Sequence, residues 1–162
     1  MESKDVIVRY LQDAEAAERN FEDALAAFSK IGDQAPVKDA LANMSQKAKT
    51  QHERLESRLK QLGETPSKAK SALAHTLAFP PTMAQLGHEP GEKNTQHLMI
   101  TVAAAAAEMA MYESLAAVAQ AAGDSQTLQL ARELQREEHD DYDVAWGLLN
   151  QSALASFREQ TA

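Results

Sequence analysis

The chain contains no cysteine among its 162 residues, which excludes disulfides, zinc–thiolate sites and thiol chemistry. Glycine and proline are scarce, with 6 and 5 copies, and aromatic residues make up only 5% of the sequence. Alanine, leucine, glutamate, glutamine and lysine dominate instead, and all of them favour helices. The composition therefore predicts an all-α protein, and the length suits one domain with a buried core.

An excess of positive charge is also missing, because 16 Lys and Arg residues face 24 Asp and Glu residues for a net charge of −8. This balance disfavours nucleic acids and anionic membranes as partners. The N-terminal segment MESKDVIVRY lacks the apolar core of a signal peptide. The longest apolar run, residues 99–107 with Thr101 inside it, is too short to span a bilayer. We therefore expect a cytoplasmic protein with no nucleic-acid or membrane partner.

Apolar residues recur at spacings of three and four in four segments, which predicts four amphipathic helices. We expect these helices at about residues 4–31, 36–62, 95–122 and 125–157. Gly32, Gly63 and Gly123 follow the first three helices, at the position where glycine commonly ends a helix. The loops within the first and second pairs are short, so each pair forms an antiparallel hairpin.

A long connection, residues 64–94, separates the two hairpins. Thr65-Pro66 predicts the start of a short helix, Phe79-Pro80-Pro81 predicts its end, and a second short turn would reach Gly87. A helix of about 27 residues is about 40 Å long, a distance that such a connection can cover. We therefore predict one domain, residues 1–162, with a ferritin-like four-helix bundle of two antiparallel hairpins joined by a long crossover containing one or two short helices.

The two hairpins are related by a shift of 90 residues that brings polar positions into register. The matched pairs are Glu18 with Glu108, Ala48 with Glu138, and Gln51 with Asp141. Each position lies on the apolar stripe of its helix, where a carboxylate is costly unless another group neutralises it. Counted from the hairpin turns, the five polar side chains fall at one height in the bundle: Glu18, Gln51, Glu108, Glu138 and Asp141.

Four carboxylates in one buried layer cannot all remain ionised without protons, a basic side chain or metal ions to compensate them. Oxygen ligands of this kind suit Fe or Mn. The usual dinuclear site in such bundles takes a Glu from each of two helices and a Glu-x-x-His from each of the other two. Here the fourth helix offers Glu138-x-x-Asp141, but the second offers only Ala48-x-x-Gln51. The five polar residues are therefore the candidate ligands, and Lys47 beside the gap is positioned to replace a cation.

Other residues add little to this site. His52 and His139 are predicted to point sideways, and His75, His88 and His97 lie in the crossover or at its exit without ligand-like spacing. Tyr112, one helical turn from Glu108, is placed to hydrogen-bond the acid layer or to act as a redox neighbour. No P-loop, dinucleotide-binding glycine pattern or nucleophile elbow occurs, so no competing catalytic motif exists and enzymatic activity stays open.

Three segments resemble helices of the YciE/YciF-like family of bacterial ferritin-like proteins: LQDAEAAERNFEDAL (11–25), QHERLESRL (51–59) and EMAMYESL (108–115). The resemblance covers about residues 4–150 and implies a ferritin-like bundle, commonly dimeric and associated with stress responses. It also implies that Glu18, Glu108 and Glu138 correspond to the inward acids of the family. The second helix departs from the family pattern, since Gln46, Lys47 and Ala48 stand where an acid is expected.

Three functions remain open from the sequence. The first is a stress-associated, dimeric scaffold whose carboxylate centre is partly degenerate and binds metal weakly or not at all. The second is a functional Fe or Mn carboxylate-bridged protein with oxidase or peroxide-handling activity. The third is a small-molecule carrier that uses the alanine-lined third helix. That helix is apolar on nearly all sides, so the crossover or a second subunit is expected to cover its outer face. Coverage by both is the favoured arrangement, which predicts a homodimer.

Overall fold

Four long α-helices make up the fold in the computed structural model, which describes residues 2–68, 70 and 90–162. They are α1 (Ser3–Phe28), α2 (Ala35–Gln61), α3 (Lys93–Ala122) and α4 (Ser125–Thr161), with a short 3-10 turn, Pro90–Glu92, before α3. No strand occurs within these described ranges. The prediction of an all-α bundle is confirmed. The predicted short crossover helix falls largely on residues 71–89, outside the described residues.

The helix ends differ from the predicted bounds by a few residues. Helix α1 stops at Phe28, before the predicted end near residue 31, while α4 continues to Thr161 beyond the predicted end near residue 157. Asp124 precedes α4, and its carboxylate accepts the backbone N–H of Thr127 at 3.0 Å. This contact satisfies one of the N–H groups that the first turn of a helix leaves unpaired.

The α1–α2 loop fits against the beginning of α3. Gly32 has a φ of +91°, and a Cβ atom there would lie only 2.2 Å from the Asn94 Oδ1 atom. The buried Asn94 donates its Nδ2–H to Asp33 Oδ1 at 2.9 Å. Glycine is therefore required at position 32 both for the backbone angle and for the close approach that joins the two hairpins.

Two apolar clusters fill the bundle on either side of the predicted polar layer. One cluster draws on the start of α1, the end of α2, the end of α3 and the start of α4: Ile7, Val8, Leu11, Ala14, Leu55, Leu59, Tyr112, Leu115, Ala116, Ala131 and Leu134. The other draws on the opposite ends: Phe21, Leu25, Phe28, Val37, Leu41, Met44, Ala48, Leu98 and Ala145. The candidate ligands fall between these two sets on every helix, so they lie at the centre of the bundle with apolar side chains above and below.

Helix α3 is, within the described residues, the one helix long and apolar enough by composition to cross a membrane, with a mean hydropathy of 1.3 over its best window. It packs along both α4 and α1. Its buried face carries polar side chains, among them His97, Thr101 and Glu108. Length and composition alone in one helix are weak evidence for a membrane span, and this helix packs on two others through a face that carries polar side chains.

Candidate metal centre

Three glutamates from three helices converge at the middle of the bundle. Glu18 on α1, Glu108 on α3 and Glu138 on α4 each offer a carboxylate oxygen within 4.8 Å of the other two. All three side chains are buried, with Glu18 and Glu138 at 0% exposure and Glu108 at 5%. Each of the three has one oxygen, Oε2, that is buried without a hydrogen-bond partner. Buried carboxylate oxygens normally have partners, so three unpartnered ones side by side indicate a place where a cation would fit.

Hydrogen bonds connect the remaining oxygens of these glutamates to nearby side chains. The Tyr112 hydroxyl donates to Glu18 Oε1, as its position one turn from Glu108 predicted. Gln51 on α2 donates its Nε2–H to Glu138 Oε1 at 2.7 Å. Glu108 and Glu138 hydrogen-bond each other, which requires a proton on one of the two carboxyl groups.

Burial raises the pKa of all three glutamates in the acid layer. Burial, followed by the charge of Glu138, raises the pKa of Glu18 well above 4.5. Burial, followed by the charges of Glu18 and Glu138, does the same to the pKa of Glu108. Burial and the neighbouring Asp141 raise the pKa of Glu138 to about 7, although hydrogen bonds from Glu108 and Gln51 oppose the shift. Burial and the neighbouring acids therefore favour the protonated form of Glu108 in the metal-free layer.

Asp141, the fifth candidate ligand, is held by a different partner. The Lys47 ammonium group on α2 donates to Asp141 Oδ1, and the Asp141 side chain is only 6% exposed. Burial raises the pKa of Asp141, and this ion pair partly offsets the effect. Helix α2 therefore contributes an ammonium group and an amide N–H donor to the layer instead of carboxylates. At position 48, the buried Ala48 provides no ligand atom.

Further ion pairs are formed by residues close in sequence to the acid layer. Arg54 on α2 contacts Glu133 at 2.6 Å and Glu137 at 2.7 Å on α4. On α1, the carboxylate of the fully buried Glu15 accepts from Arg19 at 2.6 Å. The periodicity of α1 did not reveal Glu15 because the residue lies beside the apolar stripe. Its partner four residues later is the one sequence signal that could have identified it.

The described histidines lie outside the three-glutamate cluster. His52 places Nδ1 2.9 Å from a Glu22 carboxylate oxygen, and His139 places Nδ1 3.3 Å from Asp143. His97 is buried and stacks on Phe28 with a ring distance of 4.1 Å. Burial, together with the charge of Lys93, lowers the pKa of His97 to about 4, so its ring is neutral near pH 7. His75 and His88 lie outside the described residues.

This donor set suits one hard cation and lacks the ligands for a second. Three carboxylate oxygens lie together at the centre, and Gln51, which binds Glu138 through its Nε2–H, has a buried Oε1 atom without a hydrogen-bond partner. Carboxylate and amide oxygens are ligands that Mn²⁺ and Fe²⁺ accept. The second half of a dinuclear site would need an acid on α2, and Ala48 and Gln51 provide none.

Comparisons with known proteins agree with this architecture. A solved structure from Xanthomonas campestris pv. campestris matches 99% of this chain and 100% of its own, with a TM-score of 0.85 and 22% sequence identity. The Escherichia coli stress protein YciF matches 94% of this chain and 98% of its own, with a TM-score of 0.82 and 19% identity. YcfI from Rhodopseudomonas palustris matches 90% and 93%, with a TM-score of 0.75 and 20% identity. At these identities the likeness shows a shared fold.

The family assignment comes from the sequence itself. No curated protein matches the chain significantly. The family model described as a domain of unknown function, DUF892, matches residues 2–152. The match covers all four helices except the end of α4. The chain therefore belongs to the DUF892 family, which confirms the YciE/YciF-like resemblance of its helices.

Proposed function

We propose that this chain is a stress-associated, ferritin-like scaffold of the cytoplasm whose partly degenerate carboxylate centre binds a metal ion weakly. The observation that carries the proposal is the set of three buried carboxylate oxygens without partners, on Glu18, Glu108 and Glu138. The likeness to a solved structure described as a stress protein supports the biological setting. The binding is weak because protons and hydrogen-bond donors already compensate much of the acid layer.

Glu18, Glu108 and Glu138 would hold the ion, with Gln51 Oε1 as a neutral additional ligand. Fe or Mn fits this all-oxygen set and, when bound, supplies a redox-active centre. The chain's own residues exclude water through the two flanking apolar clusters. Because burial raises the pKa of all three glutamates, metal binding is expected to release protons from the layer, so affinity should rise with pH.

One contact favours a second function, an Fe or Mn carboxylate-bridged protein with oxidase or peroxide-handling activity. The buried Tyr112 hydroxyl donates to Glu18, so an oxidisable side chain directly contacts a candidate ligand. Peroxide consumption by the metal-loaded protein, lost in Tyr112→Phe, would favour this function. Metal binding without peroxide consumption would favour the scaffold.

Metal addition is expected to raise the melting temperature of the protein. After removal of metals by chelation, Mn²⁺ or anaerobic Fe²⁺ at about ten times its dissociation constant should add about 1.4 kcal/mol, or a few degrees. Differential scanning calorimetry measures the shift. Glu18→Gln should abolish it, whereas Glu56→Gln, in the partly exposed Glu56–Lys60 pair, should preserve it. A melting temperature that neither metal changes, even at millimolar concentration, would exclude the metal-binding part of the proposal.

We also propose that the scaffold is a homodimer. Large apolar side chains are exposed at the start of α3 and along the second half of α4: Met99, Val144, Trp146, Leu154 and Phe157. Exposed apolar area concentrated on neighbouring elements is typical of an interaction surface. Sedimentation equilibrium should give a dimer that Trp146→Ser with Phe157→Ser weakens by about tenfold or more. Ile31→Ser, at a separate exposed apolar position, serves as the control, and a monomeric wild type would contradict the proposal.

A further inference from the structure

One side of the acid layer already contains a positive charge of its own. The Lys47 ammonium group reaches from α2 to Asp141 on α4, the acid that the internal repeat places as a ligand. The Lys47 side chain is 37% exposed while the Asp141 side chain is 6% exposed, so the charged end of the lysine enters the bundle from its surface. The charge of Lys47 also acts on Glu138, lowering its pKa against the larger effect of burial.

We infer that Lys47 takes the place of the second cation of a dinuclear centre, so that this chain accepts a single metal ion and Lys47 sets how tightly it binds. The inference rests on the proposed function, since it concerns the same site. It adds the stoichiometry, and it identifies the side chain that limits the affinity.

The charge balance supports this arrangement. The layer contains four acids, Glu18, Glu108, Glu138 and Asp141, and one cationic side chain, Lys47. Fully ionised, this set has a formal charge of −3, which one divalent ion reduces to −1. A second divalent ion would bring the buried layer to +1 and place two dications beside an ammonium group. The mutual repulsion of these three cationic groups is strong in a low-dielectric interior.

The ligand geometry leads to the same conclusion. A second ion would need oxygen ligands from α2, but Ala48 has none and the Gln51 N–H faces Glu138. Arg54, another basic residue of α2 near this height, is bound to Glu133 and Glu137 on α4, and Lys49 is exposed. Among these basic side chains of α2, Lys47 is therefore the one that neutralises the acid layer directly.

Counting bound Mn²⁺ by electron paramagnetic resonance tests the inference without any activity assay. Wild-type protein should bind one Mn²⁺ per chain. Lys47→Met should keep that stoichiometry and lower the dissociation constant by about tenfold or more, because a repelling charge is gone and Asp141 becomes available as a ligand. Lys49→Met, which removes an exposed lysine two residues away, should leave the constant unchanged.

Two double variants make the test independent of how well Lys47→Met folds. Lys47→Met with Ala48→Glu replaces the cation by an acid on α2 and should raise the stoichiometry to two. Lys47→Met with Asp141→Asn removes both members of the ion pair, keeps the formal charge at −3, and should bind one ion with an affinity within about threefold of wild type.

The outcomes separate this inference from the proposed function. Three results would overturn the role of Lys47 while leaving a metal site in place. They are two Mn²⁺ per wild-type chain, an unchanged affinity in Lys47→Met, or a loss of affinity of more than about tenfold in the Lys47→Met, Asp141→Asn variant. Failure of every folded variant to bind Mn²⁺, including Lys47→Met with Ala48→Glu, would overturn the metal site itself.

Discussion

Arg58→Met is expected to lower the free energy of unfolding by about 3–5 kcal/mol, the largest loss that we predict for one side chain. The Arg58 side chain is only 10% exposed, and its Nη2 atom contacts both carboxylate oxygens of Asp124 at 2.8 Å. It also donates to Thr127 at 2.8 Å, to Gln126 at 2.6 Å and to Gln61 at 2.9 Å. This one guanidinium group therefore joins the end of α2 to the turn between α3 and α4.

The loss is large because the substitution leaves the Asp124 carboxylate, whose side chain is only 13% exposed, without its charged partner. Burial raises the pKa of Asp124, but hydrogen bonds from Thr127 and Arg58 outweigh it and the net shift is downward. Without Arg58 the desolvation penalty remains and part of the compensation is lost. Urea unfolding of the metal-free protein, followed by circular dichroism at pH 7, measures the change.

Arg132→Met provides the matched control for this prediction. Arg132 also pairs with a carboxylate, that of Glu113, but the two side chains are 39% and 56% exposed. Exposed ion pairs contribute less than about 1 kcal/mol, so this variant should unfold at nearly the wild-type urea concentration. Equal losses in the two variants would show that the Arg58 network does not hold the two hairpins together.

The height and helix of each acid were predictable because the periodicity of four long helices is regular. Short loops fix how the two helices of a hairpin align, so a residue's distance from the turn gives its level in the bundle. This reasoning placed Glu18, Glu108 and Glu138 in one layer, and the structure brings their carboxylates together. Because Glu18 and Glu108 occupy the same position in the two hairpins, the pattern indicated a shared layer and not an isolated buried acid.

The partner of each side chain was less predictable, because it depends on side-chain reach and rotamers. Lys47 stood out in the sequence because it lies beside Ala48, but the pattern does not show which acid each cation of α2 contacts. Lys47 binds Asp141, whereas Arg54 binds the outer acids. Asp124 caps α4, and nothing in the sequence around it indicates its partner Arg58, which lies 66 residues earlier. Contacts so distant in sequence leave no periodic signal.

The observed start of α3 also differs from the predicted one. His97 was assigned to the exit of the crossover, but α3 begins at Lys93, so His97 lies in its second turn and faces Phe28. Asn94, one turn earlier, contacts the α1–α2 loop. The turn Pro90–Glu92 leads directly into the helix, and no strong capping residue marks the boundary in the sequence. Helix starts without such a cap are hard to place from sequence alone.

Glu108→Gln is expected to stabilise the metal-free protein above about pH 6 and to abolish metal binding. In the folded protein the pKa of Glu108 lies well above 4.5 because of burial and the charges of Glu18 and Glu138. The folded state therefore keeps a proton that the unfolded chain loses above pH 4.5. Wild-type stability consequently falls as pH rises from 4.5 to the folded pKa, by up to about 1.4 kcal/mol per pH unit for this group. Glutamine cannot ionise, and its amide N–H can still donate to Glu138.

Urea unfolding at pH 5, 6, 7 and 8 should show the two proteins nearly equal at pH 5 and the variant progressively more stable at higher pH. Some pH dependence should remain in the variant, because the pKa of Glu138 is raised to about 7 by burial and Asp141. Mn²⁺ should no longer raise the melting temperature, since one of three carboxylates is gone. Glu113→Gln, on the exposed surface, should retain both the wild-type pH dependence above pH 6 and the Mn²⁺ effect.

A Glu108→Gln variant that still loses stability as steeply as wild type would show that Glu108 is not held protonated in the core. If the prediction holds, the acid layer costs stability near neutral pH, a cost that a bound cation would offset.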